Sequence, residues 1–257
     1  MPENKVAVIG SQDAQIEIDL GASIKSYLLS AQFSDLTIRT IDQEFKVHRL
    51  VVCGQSGYFS RLYKGEWIET NENDIALQDD DPCAIQAMIH FMYGFDYDSS
   101  GSEHSRASPM LFNVKVYQIA DKYVVPQLKQ KAKEKFETIV QTCWDMDDFP
   151  VAIAEAYKYT LKADRGLREP LVKTSMEHMD ELLKKDAFVD VLENTIGFAS
   201  ELGTVLAKIK VFNSKAKVYR CPDCSSKWMV DASTGQSVTY CIGCGTSRKW
   251  SSYVVHD

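Results

Sequence analysis

Between residues 33 and 63 the spacing of apolar positions changes from that of a strand to that of a helix. Leu36 and Ile38, then Phe45 and Val47, alternate with polar residues, and the turn-prone pair Asp42-Gln43 separates them. This predicts a hairpin with one buried face. From Leu50-Val51-Val52-Cys53 through Tyr58-Phe59 to Leu62-Tyr63 the apolar residues fall at helical spacing, so a short helix pair closes over the hairpin. Upstream, Ile24, Tyr27, Leu28 and Ala31 mark a helix of about three turns that begins near Ala22. Residues 1–21 are a polar lead-in whose alternating Ile16-Glu17-Ile18 is either frayed or a strand completed by another chain.

Downstream, Asp74 to Leu77 reads as a strand, and Asp79-Asp80-Asp81-Pro82 as the capped start of a helix with Ile85, Met88, Ile89 and Met92 inward. Residues 94–109 are rich in Ser and Gly and read as a surface loop. Val116, Ile119, Ala120 and Tyr123 mark the next helix, and Leu128, Ala132, Phe136, Ile139 and Val140 the one after it. Asp145 to Pro150 breaks the periodicity and is the expected domain boundary. Beyond it three stripes predict helices: Ile153 to Leu161, Leu171 to Leu183 and Phe198 to Ile209, with Asp147-Asp148, Asp164 and Asp186 placed as caps.

The order "SDLTI, short turn, F-x-V-H-R, apolar helix, S-x-Y-F-S" resembles the BTB/POZ interaction domain, with Asp35, His48 and Phe59 on that family's most recognisable positions. The likeness continues through Asp74-Ile75-Ala76-Leu77, Phe91-Met92-Tyr93 and the run Tyr117 to Tyr123. It implies an α+β fold: a BTB/POZ domain over 22–144, with a small sheet flanked by helices, then an all-α extension over 145–212. The loop at 94–109 is longer than the family usually has. The resemblance further implies a homodimer interface on the first helix and its surroundings, with Ile24, Tyr27, Leu28, Asp35 and Arg49 as candidates. Trp67-Ile68-Glu69 is similar to the hydrophobic-x-Glu pattern with which some BTB domains dock cullin scaffolds. For His48 the expected role is a hydrogen-bonded buried histidine.

Residues 213–257 carry the strongest chemical signal. Cys221-Pro222-Asp223-Cys224 and Cys241-Ile242-Gly243-Cys244 are two CxxC pairs sixteen residues apart. Two residues between cysteines let one tight turn aim both sulfurs at a single ion, and Gly245 suits the turn that follows. With Lys227 to Val230, Ser237 to Tyr240 and Lys249 to Val255 as strands, the segment resembles a zinc ribbon around one structural zinc. Four cysteines leave no open position for water, so the ion is expected to be a staple; iron fits the same knuckles. Cys53, Cys83 and Cys143 are expected to be small buried hydrophobes.

Composition narrows the function. A net charge of −7 and a pI of 5.3 do not suit general binding to phosphate backbones. In the ribbon, Lys215, Lys217, Arg220, Lys227, Arg248 and Lys249 outnumber Asp223, Asp231 and Asp257, but a zinc with four thiolates returns two negative charges. Trp228, Tyr240, Trp250 and Tyr253 are available to stack on bases or to fill the ribbon's core. No apolar run approaches the ~20 residues of a membrane span, and no basic-then-apolar leader is present, so the expected site is intracellular, in cytoplasm or nucleus. Gly-rich phosphate loops, nucleophile elbows and HExxH are absent, so the chain is not expected to be an enzyme. The leading expectation is a protein interaction adaptor that dimerises or docks a cullin-type ubiquitin ligase scaffold while other regions recruit a partner. The alternatives are a nuclear transcription or chromatin regulator whose ribbon touches nucleic acid, and a metal-dependent enzyme or electron carrier.

Overall fold

The strand Leu36–Arg39 (β1) lies at the centre of the first sheet, between Glu44–Val47 (β2), antiparallel to it, and Asp74–Ala76 (β3), parallel to it. In this computed structural model residues 20–66, 73–97, 108–231, 240–248, 250 and 253–255 are described. The lead-in at 1–19, most of the Ser-rich loop and the Ser237 to Thr239 part of the expected ribbon strand fall outside them. The hairpin forms as expected, its turn held by Thr40, whose amide donates to the Gln43 carbonyl at 2.9 Å. One detail differs from the expectation of a single buried face. Leu36, Thr37 and Ile38 are all buried, because a central strand is covered on both sides. The Thr37 hydroxyl is satisfied there by Lys46 Nζ at 3.0 Å.

The helix pair follows as Arg49–Gln55 (α2) and Gly57–Arg61 (α3). Ser56 caps α3, accepting from the Phe59 amide at 3.1 Å and donating to the Tyr123 carbonyl at 2.6 Å. Phe59, fully buried, stacks on Tyr123 with ring centroids 5.7 Å apart. Gly57 is required at this junction: its amide donates to the Val124 carbonyl at 2.9 Å, and a Cβ there would lie 2.9 Å from Val124 Cγ1. Ahead of β1 runs Leu20–Ser30 (α1).

Pro82–Met92 (α4) is capped by Asp81, which accepts from the Ala84 amide, and buries Ile85, Met88, Ile89 and Met92 as the stripe predicts. Pro109–Lys122 (α5) and Pro126–Thr142 (α6) pack on each other, and Asp148–Tyr159 (α7), which buries Phe149, Ile153 and Ala156, packs on α5. Leu161, expected on the stripe of α7, lies beyond its end and is exposed, because the helix stops at Tyr159. Asp164 does not cap a helix. It accepts from Tyr117 Oη at 2.6 Å, Lys129 Nζ at 2.7 Å and the Gly166 amide at 3.0 Å.

Backbone contacts divide the chain into two compact units, one running to Thr160 and taking in Asp164–Pro170, the other made of Leu161–Ala163 and Leu171 onward. In the second, the expected long helix after Leu171 is broken at His178 into Arg168–Glu177 (α8) and Met179–Leu182 (α9). Asp186–Asn194 (α10), which carries its own stripe of Phe188 and Val191, precedes Ile196–Lys215 (α11). Phe188 meets Phe198 edge to face at 6.2 Å. Asp186 lies in the first turn of α10 rather than at its cap, where its charge suits the helix dipole. Asp147 holds the cap position of α7 without a side-chain bond. Cys53, Cys83 and Cys143 are half-buried rather than buried.

Candidate functional site

A three-stranded sheet supports the cysteine pairs: Ala216–Arg220 (β4) lies between Lys227–Asp231 (β5) and Val254–Val255 (β6), antiparallel to both. β4 was not among the expected strands; its Lys217, Val218, Tyr219 and Arg220 carry only a short alternation. The first knuckle is the turn between β4 and β5, and the second follows Tyr240, which bridges to Ser247.

The two knuckles repeat one geometry. Cys221 N–H donates to the Ser226 carbonyl at 3.0 Å, and Cys241 N–H to the Thr246 carbonyl at 2.9 Å. Ser225 N–H donates to the Cys221 carbonyl, and Gly245 N–H to that of Cys241. Each turn needs a left-handed residue after its second cysteine: Gly245, as expected, with φ +72°, and Ser225 with φ +57°. The hydroxyls of Ser226 and Thr246 sit 3.2 Å from the sulfurs of Cys224 and Cys244. Gly243 N–H donates to Cys241 Sγ at 3.3 Å, and a Cβ on Gly243 would run into the Ser226 side chain.

The four sulfurs lie within 4.8 Å of one another, with Cys221 to Cys244 at 3.7 Å and Cys224 to Cys241 at 3.6 Å. A tetrahedron of ~2.3 Å metal–sulfur bonds has edges of ~3.8 Å, so the cluster could hold a metal ion and the donor set fits one that prefers thiolates. None of the four is in a disulfide. The Ser226 hydroxyl and amide push the Cys224 thiol down to about 6, and the Thr246 hydroxyl likewise lowers that of Cys244. Burial pushes Cys221 up to about 11. The Cys224 thiol is thus ready to ionise near neutrality and the Cys244 thiol ionises more readily than a free one, whereas burial opposes the thiolate at Cys221. Asp223 pairs with Arg248, tying the first knuckle to the segment after the second. Behind the sulfurs Trp228 and Trp250 meet edge to face at 4.9 Å, with Tyr219 and Tyr253 against them. Trp228, Trp250 and Tyr253 are therefore packed inside, and Tyr240 is exposed.

In the first unit, Asp35 Oδ1 accepts from the Arg49 amide at 2.7 Å, and the Arg49 guanidinium bonds Asn73 Oδ1 and covers the Tyr63 ring at 4.4 Å. His48 is held from both sides, Nδ1 by Tyr93 Oη and Nε2 by the Gln32 carbonyl, each at 2.7 Å. The carbonyl can only accept, so Nε2 carries the proton and Nδ1 accepts from Tyr93, which also receives the His48 amide at 2.7 Å. Tyr27 packs on His48 and on Phe33, at 5.9 and 5.8 Å. Ile24 and Leu28 are half-buried, Tyr27 is 37% exposed, Leu29 77% and Phe33 74%. Leu29 and Phe33 were missed because no strand or helix period marks them; Phe33 is presented by a backbone in which Ala31 and Phe33 both adopt positive φ. Trp67, Ile68 and Glu69 lie outside the described residues. Among the described residues no helix is long and apolar enough to cross a membrane.

The family model of the BTB/POZ domain matches residues 24–139. The chain is 25% identical over 194 residues to the BTB/POZ and MATH domain-containing protein 4 of Arabidopsis thaliana, covering 72% of this chain and 39% of that protein. It is 33% identical over 76 residues to the kelch repeat and BTB domain-containing protein 1 of ectromelia virus (strain Moscow), covering 30% of this chain and 14% of that protein. Both alignments thus span less than half of the relative's length. Among solved structures, the BTB domain of zebrafish PATZ1 aligns over 46% of this chain and 88% of its own, with 12% identity and a TM-score of 0.36. Residues 24–139 of this chain are a BTB/POZ domain, and the four-cysteine cluster lies outside it.

Proposed function

We propose that this chain is a protein interaction adaptor whose BTB/POZ domain pairs with a second copy and docks a cullin-type ubiquitin ligase scaffold, while a zinc-held ribbon serves a further partner. The observation that carries the self-association is the apolar exposure of Tyr27 and Phe33, which pack on each other, beside the half-buried Ile24 and Leu28 on α1. A cluster of this kind on a water-soluble surface marks a contact site. Asp35 and Arg49 sit at the same end of the domain, bonded to each other. Trp67, Ile68 and Glu69 are assigned to the scaffold on their sequence pattern. Zinc is assigned to the cysteines because an all-thiolate tetrahedral set with no open position suits a structural ion. No reaction is assigned to the chain, and the domain limits 22–144, 145–212 and 213–257 are kept as working boundaries for truncation.

Size-exclusion chromatography with light scattering tests the pairing: the wild-type chain elutes as a dimer and a Tyr27→Asp, Phe33→Asp variant as a folded monomer. A wild-type monomer at tens of micromolar removes the reading. For the scaffold, Trp67→Ala with Glu69→Arg abolishes recovery of a cullin from a pull-down; equal recovery counts against those residues.

A further inference from the structure

Within the second unit, α11 is covered along its first part only. Phe198 and Leu202 are buried, and α10 packs against this part, Phe188 meeting Phe198 edge to face at 6.2 Å. From Gly203 to Lys210 every residue is exposed except the half-buried Val205. At ~3.6 residues per turn, Leu202, Val205, Leu206 and Ile209 share one stripe about 100° wide. The stripe therefore begins in the core and continues into solvent, where Leu206 is 48% and Ile209 45% exposed. Apolar residues aligned in this way along a helix are what a partner helix covers.

Charge says which kind of helix. Lys208 and Lys210, both exposed, stand on opposite flanks of the stripe. They open a run from Gly203 to Pro222 that holds Lys208, Lys210, Lys215, Lys217 and Arg220 and no acidic residue, in a chain of net charge −7. The helix already packed on the covered part has the opposite chemistry. α10 reads DAFVDVLEN: Asp186, Asp190 and Glu193 with no basic residue, and Phe188 and Val191 buried. The fold thus supplies its own template for what suits α11, an apolar ridge on a helix of carboxylates. A second α11 would instead set lysine against lysine, which repels.

We infer that the exposed end of α11 is a docking site for an acidic amphipathic helix of a partner protein, with Val205, Leu206 and Ile209 taking its apolar ridge and Lys208 and Lys210 its carboxylates. The contact uses neither α1, nor Trp67 to Glu69, nor the cysteines, so it stands or falls independently of the proposed adaptor contacts.

The test titrates the full chain into a fluorescently labelled helical peptide of repeated Leu-Glu-Ala-Leu-Glu-Glu-Ala and reads anisotropy at low and moderate salt. Wild type gives saturable binding that an excess of unlabelled peptide displaces, and the same peptide with Lys for Glu does not bind. Ile209→Asp weakens binding about tenfold or more, the loss of one apolar side chain from a buried contact. Lys208→Gln with Lys210→Gln weakens it about fivefold, the scale of two exposed charge contacts. Lys162→Gln with Lys173→Gln, which removes the same charge from exposed positions elsewhere in the unit, leaves it as in wild type. Circular dichroism confirms folding, and Leu206→Ser serves if Ile209→Asp does not fold. Absence of saturable binding at low salt overturns the inference, as does equal binding of the Lys peptide or equal weakening by the Lys162, Lys173 variant. Sedimentation with phosphatidylserine vesicles that Ile209→Asp abolishes would give the stripe to a bilayer, and a change of oligomeric state in Ile209→Asp would give it to a second copy; either overturns it as well.

Discussion

Tyr117, Lys129 and Asp164 come from α5, α6 and the loop after α7, and meet only because the chain folds back on itself. Burial opposes ionisation of Asp164, but bonds from Lys129, Tyr117 and Gly166 outweigh it and hold the carboxyl below its usual range. Burial likewise opposes the Lys129 charge, and Asp121 and Asp164 outweigh it and raise the ammonium above its usual range. The depressed carboxyl contributes stability at neutral pH that is lost as pH falls from ~4 through its folded value; the raised ammonium contributes below ~10 and loses it above its own. Asp164→Asn should lower the unfolding free energy by about 1–3 kcal/mol at pH 7, since it weakens a half-buried charged network. Urea melts of both proteins from pH 7 down to 3 check this: the gap closes at the acid end. The sequence placed Asp164 at a helix start, which is what an Asp before a helix suggests locally. Its partners lie 47 and 35 positions away and no local period points to them.

Among elements, the junction of α3 with the turn between α5 and α6 joins two stretches that the sequence pattern singled out separately, the S-x-Y-F run and the run ending at Tyr123. Phe59 and Tyr123 stack there, and Ser56 and Gly57 both bond to that turn. Phe59→Ala should cost about 3–5 kcal/mol, read as a shift in the denaturant midpoint at unchanged slope. The knuckles are a second case. Their cysteine spacing is visible in the sequence, as is the need for Gly245. The matching hydroxyls of Ser226 and Thr246, and the close approach of Gly243 to Ser226, appear only once the two turns face each other. Gly243→Ala should speed loss of metal to a chelator, whereas Ser225→Gly should leave it unchanged or slow it, because glycine adopts positive φ without strain.

For the whole molecule, the first unit and the ribbon part of the second differ in what holds them. The first buries a broad apolar set from Leu36 to Tyr157. Among the described residues the ribbon's buried cluster is Cys221, Trp228, Cys241 and Trp250, with Tyr219, Val230 and Tyr253 at its edge. So few apolar groups do not offset the entropy of ordering the strands, and with the proposed ion bound, metal–thiolate bonds would supply the difference. Removing the metal with a chelator at neutral pH should therefore redden tryptophan fluorescence as Trp228 and Trp250 meet water, while far-ultraviolet dichroism keeps most of its helical signal. An unchanged emission spectrum would count against metal as the ribbon's support.

Local pattern by itself determined the hairpin, the helices with a clear apolar stripe, the Asp81 cap and the paired cysteines, because each depends on neighbours within a few residues. Tertiary structure alone decided that β1 is buried on both faces, that Phe33 stands exposed against Tyr27, that β4 completes the ribbon sheet, and that Asp164 answers Lys129. These are contacts between distant positions, and their energy exists only after the chain has brought them together.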